Sequence, residues 1–73
     1  MSVNTQELVA AVRAHAVANY TKDGWDYLVE CWSDEEIAEE IGKARTVDGA
    51  IRACRKTTKL LDERRREVQA EIF

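Results

Sequence analysis

The sequence predicts an all-α protein, a compact bundle of about four helices with a long C-terminal helix. Three observations carry this. Apolar residues recur at three- and four-residue steps, the period of a helix face. Capping residues stand just before these stretches, and glycines stand at two of their ends. The chain has no proline, and 45% apolar content over 73 residues argues against disorder. The length supports one domain, residues 1–73. A core of this size seldom supplies more than about 3–5 kcal/mol of net stability.

The first helix is expected over 5–22. Asn4 is its N-cap, with Glu7 at the capping-box position. Leu8, Val12, Ala16 and Tyr20 follow at four-residue steps, with Val9 beside them. Gly24 is placed as the left-handed residue that ends it. The second helix is expected over 25–32. Trp25, Leu28, Val29 and Trp32 share a face there, Asp23 is the expected cap, and Asp26 sits favourably on the helix dipole.

The third helix is expected over 34–41. Ser33 and Glu36 form a capping box, and Asp34, Glu35 and Glu36 fill the first turn. Ile37, Ala38 and Ile41 face inward, Glu39 and Glu40 face water, and Gly42 stops the helix. Thr46 caps a fourth helix over 47–72. Positions 47, 51, 54, 58, 61, 65, 68 and 72 make a heptad-like seam of Val, Ile, Cys, Thr, Leu, Arg, Val and Ile, interrupted by Thr58 and Arg65. The predicted core joins Trp25, Leu28, Trp32, Ile37, Ile41, Val47 and Ile51 to Leu8, Val12, Ala16 and Tyr20.

A helix over 47–72 would be about 40 Å long, against about 27 Å for the first. Its last turns have little of their own chain to pack on. Leu61, Val68, Ile72 and Phe73 are therefore expected to meet a partner helix, most economically in a symmetric dimer.

Charge is uneven. Residues 1–42 carry nine acids and two bases, and residues 43–73 carry nine bases and five acids. Either the halves cover each other, which is the simpler reading, or one face is presented to a charged partner. Arg52, Arg55, Lys56 and Lys59 form one stripe that can grip an anionic surface. Tyr27 points away from the face of Trp25 and Trp32 and is a candidate anchor for a partner.

Little points to catalysis. Asp26 and Glu30 are an i, i+4 acidic pair of a kind common on solvated helix faces, and His15 has no Ser, Cys or Asp in a recognisable arrangement. Cys31, Cys54 and a single His15 do not make a four-ligand zinc set, so no metal or cofactor is expected. Both cysteines are expected to be small buried hydrophobes. No stretch has the length or apolarity of a membrane span or a secretory signal, and the expected location is the cytoplasm.

Two resemblances add to this. Residues 33–55 resemble a helix-turn-helix of the sigma-factor and repressor kind. Ser33 to Gly42 is similar to its first helix and turn, with Ile37-Ala38 followed by Gly42, and Thr46-Val47, Ile51 and Arg55 resemble the start of a recognition helix. Lys43 stands where that unit has a buried apolar residue, and Val47-Asp48-Gly49-Ala50 offers little to read bases. The whole chain is similar to a group of small phage and prophage proteins, on Asn19-Tyr20, Gly24-Trp25-Asp26, Glu30-Cys31-Trp32 and Asp34-Glu35-Glu36-Ile37. That resemblance implies an accessory protein that binds and blocks a host protein, for example a component of a defence system. The expected function is thus a non-enzymatic interaction protein with a protein partner. A helix-turn-helix DNA-binding regulator is the alternative.

Overall fold

A computed structural model describes the backbone of residues 4–72 and the side-chain surroundings of residues 4–70. It contains four helices: α1 (Thr5–Ala18), α2 (Trp25–Cys31), α3 (Asp34–Ile41) and α4 (Val47–Ile72). Among the described residues there is no strand, and no helix is long and apolar enough to cross a membrane. α1 contacts all three other helices, and α4 contacts α1, α2 and α3. The molecule measures 51 × 20 × 18 Å, and the 26 residues of α4 make about 39 Å of helix.

The caps set the helix starts. Asn4 Oδ1 accepts from the Glu7 N–H at 2.9 Å, and Thr46 Oγ1 accepts from the Gly49 N–H at 3.0 Å. At Ser33 both capping-box bonds form: Ser33 Oγ accepts from Glu36 N–H, and Glu36 Oε1 accepts from Ser33 N–H. Each such cap stabilises its helix by about 1 kcal/mol.

α1 ends at Ala18, four residues before the predicted stop. The reason is Asn19. Its backbone N–H and its side-chain Nδ2 both turn back to the carbonyl of His15, closing the helix. Gly24 is therefore not the end of α1. It is the N-cap of α2, with φ +74°, and no side chain caps α2, so Asp23 does not take the predicted role. Asp23 instead adopts φ +50° in the turn. α2 stops at Cys31, and Trp32 is already extended.

Gly24 has a second constraint beyond its backbone angle. A Cβ built there would lie 2.1 Å from the carbonyl oxygen of Thr58. α2 thus starts in direct contact with the backbone of α4. The facing residues on α4 are small. Ala50, Cys54 and Thr58 are all 0% exposed, and they form a ridge at four-residue steps that continues to Asp62. Trp25, Leu28 and Ile37 from the short helices fill the space that this ridge leaves, with Leu8, Val12 and Ala16 of α1 closing the core.

The predicted core is corrected at two positions. Tyr20 and Val47 are each 39% exposed. Tyr20 falls outside α1 once the helix ends at Ala18, and its hydroxyl donates to Glu30. Val47 stands at the first residue of α4. Trp32 and Ile51 are half-buried at the rim of the core. Cys54 is buried, whereas Cys31, expected to be buried, is exposed.

Candidate interaction surface

The buried ridge at 50, 54 and 58 turns the other side of α4 outward. Arg52, Arg55, Lys56 and Lys59 are all exposed there. Their i, i+3, i+4 and i+7 spacing aligns them as one stripe. Among the described residues the ion pairs are Arg13–Asp34, Arg65–Asp26, Arg65–Asp62 and Arg66–Asp62. None of the four stripe cations takes part. Arg65–Asp26 is the single described pair that joins the acidic half to the basic half. Among the described residues no other ion pair crosses between the two halves, and the basic stripe stays at the surface.

Arg65 explains one interruption of the predicted seam. Its guanidinium donates to Asp26 Oδ2 at 2.8 Å and to Asp62 Oδ1 at 2.6 Å, and it lies 4.8 Å from the centre of the Tyr27 ring. The Asp26 bond and then the Asp62 bond push its pKa further up, so the charge is permanent. Asp62 is only 7% exposed and takes Arg66 as a second partner at 3.3 Å. Arg65 thereby ties α4 to α2. Tyr27 is half-buried, with the Arg65 charge stacked on its ring. It stands apart from the basic stripe and is not grouped with it.

The catalytic candidates are engaged in structural contacts. Asp26 holds Arg65, and Glu30 accepts from Tyr20, whose hydroxyl pKa is raised by that bond. His15 packs edge-on against Trp25, 5.0 Å between ring centres at 77°. Among the described residues no cluster of three or more His, Cys, Asp or Glu is placed to hold a metal ion.

The self-association residues fall on the later turns of α4. Leu61 is half-buried and Val68 is 55% exposed. The Ile72 side chain and Phe73 lie outside the described residues. Sequence reasoning missed Leu60, also 55% exposed, because it stands one position off the heptad seam. Leu60 and Leu61 line an open groove on α4 with Thr57, Glu63, Arg64 and Glu67. The signal for it was present in the spacing: 57, 60, 61, 64 and 68 share a helical face.

The helix, turn and helix of residues 33–55 are present in order, and Ala44 packs against the core one position beyond Lys43. α3 presents Asp34, Glu35 and Glu36 exposed in its first turn. The first helix of a helix-turn-helix crosses the DNA backbone, and three carboxylates there oppose phosphate. Compared with known protein families, curated proteins and solved structures, the chain matches none.

Proposed function

We propose that this chain is a non-enzymatic interaction protein that occupies an acidic surface of another protein through the basic stripe of α4. The observation that carries this reading is the set of four exposed cations, Arg52, Arg55, Lys56 and Lys59, none with an ion-pair partner among the described residues. A host protein, such as a component of a defence system that binding would block, is the partner we propose from the sequence resemblance to small phage proteins.

DNA binding is the second reading, favoured by the order of α3, turn and α4. It ranks lower because the acidic first turn of α3 is exposed beside the same unit. Fluorescence anisotropy with labelled poly-glutamate and labelled mixed-sequence duplex DNA, each at low and moderate salt, separates the two. Poly-glutamate should bind saturably and lose affinity in Arg52→Glu/Arg55→Glu. Duplex DNA should show no saturable binding. Tight, sequence-dependent DNA binding that vanishes in Arg55→Ala would reverse the ranking. DNA affinity would then fall steeply with salt, as phosphate contacts require.

A further inference from the structure

The groove on α4 is centred away from Arg52, Arg55 and Lys59 of the basic stripe and shares with it one edge residue, Lys56. Leu60 and Val68 are the most exposed large apolar side chains of α4, and both lie on the face of Thr57, Leu61 and Arg64. α3 reaches only its N-terminal end, where the Thr57 hydroxyl donates to Glu40, and α2 and Arg65 engage α4 on the side of Thr58 and Asp62, which leaves Leu60, Arg64 and Val68 exposed. This face also carries a charge order. Lys56 stands along its edge at the N-terminal end, and Glu63 and Glu67 stand along the same edge towards the C-terminal end.

We propose that α4 pairs with α4 of a second copy of this chain, in antiparallel orientation, across this face. Antiparallel helices bring the same edge of each together, head to tail. Lys56 then faces Glu67 of the second copy, and the pair occurs twice. A parallel arrangement brings opposite edges together, so Lys56 of one copy would not reach Glu67 of the other and the charge pair would be lost. In the antiparallel register the centre falls between residues 61 and 62. Leu60 and Leu61 of the two copies meet there, and Val68 of each falls near Thr57 of the other. Arg64 lies with its stem across apolar surface and its charge beside glutamate.

The contact is short. From Thr57 to Val68 it spans roughly 18 Å of helix, or about three turns. Stable interfaces bury about 1,200–2,000 Å² in total, so this pair is a weak dimer, with dissociation at about tens of micromolar.

Sedimentation equilibrium from about 10 μM to about 1 mM, bracketing that affinity, tests this. Wild type should shift from monomer to dimer across the range. Leu60→Asp alters an exposed residue, so a thermal melt should match wild type while pairing weakens at least about tenfold. Lys56→Glu and Glu67→Lys should each weaken pairing about three- to tenfold, and the double variant should recover to within about twofold of wild type. A wild-type monomer at every concentration overturns the proposal. So does undiminished pairing in Leu60→Asp, or a double variant no tighter than either single one.

Discussion

Over residues 50–62, α4 carries two faces made by opposite rules. The inner face is Ala50, Cys54, Thr58 and Asp62, with small side chains that let other helices approach to backbone contact. The outer face is Arg52, Arg55, Lys56 and Lys59, long and charged, with no ion-pair partner among the described residues. At the inner face the backbone of α4 at Thr58 leaves no room for a Cβ at Gly24. Among the described residues the outer face makes no ion pair to help hold the fold. Packing and surface charge thus divide between two faces of a single helix, and substitutions on the outer face are expected to leave stability nearly unchanged.

The largest effect is expected at the inner contact. Gly24→Ala places a Cβ 2.1 Å from the Thr58 carbonyl oxygen, at a backbone angle of +74°. The α2–α4 junction must then open. A loss of more than about 3 kcal/mol is expected, comparable to Trp25→Ala at about 3–5 kcal/mol. Urea melts check both. Trp32→Ala should cost less, because Trp32 is only half-buried. A Gly24→Ala protein as stable as wild type would remove the close approach on which the inner face depends.

The thiols give a smaller, graded test. Burial, with a contribution from Glu40, pushes the Cys54 thiol up to about 11. Cys31 is exposed. A thiol reagent near neutral pH should modify Cys31 at once and Cys54 only as the protein opens. The sign of the pH effect follows from proton binding. Between about 9 and about 11 the unfolded chain loses a proton that folded Cys54 keeps. Stability should therefore fall across that window through Cys54, and Cys54→Ala should abolish this component. Equal labelling rates for the two cysteines would contradict the inner-face assignment.

The smallest effect on stability is expected at the outer face. Reversing Arg52, Arg55, Lys56 and Lys59 to glutamate one at a time should change stability by no more than about 0.5 kcal/mol each. A large loss would mean that the stripe is part of the fold rather than a surface offered to a partner.

Much of this architecture was legible in the sequence. The caps Asn4, Ser33 and Thr46 fixed three helix starts, because each places an oxygen before an unpaired run of N–H groups. The end of α1 was not legible, because apolar spacing continued to Tyr20 while Asn19 closed the helix by local hydrogen bonds. The buried ridge was partly legible. The seam contained Cys54 and Thr58, which are both buried, but apolar weight drew its start onto Val47 and Ile51, where the buried residue is Ala50. The tertiary pairing of Arg65 with Asp26, 39 residues away, left no local pattern at all. The basic stripe was legible because it depends only on helical spacing. That none of its cations is ion-paired among the described residues depends on where the acids of α2 and α3 lie in space, which spacing along the chain does not encode.

The most direct test of the two-faced α4 is a backbone amide NMR titration with poly-glutamate at low salt. Residues 52–59 should shift together and saturably, with the first turn of α3, Asp34 to Glu36, unmoved. The Arg52→Glu/Arg55→Glu protein should keep its spectrum and lose the response. Shifts centred on α3, or none on residues 52–59, would contradict the account.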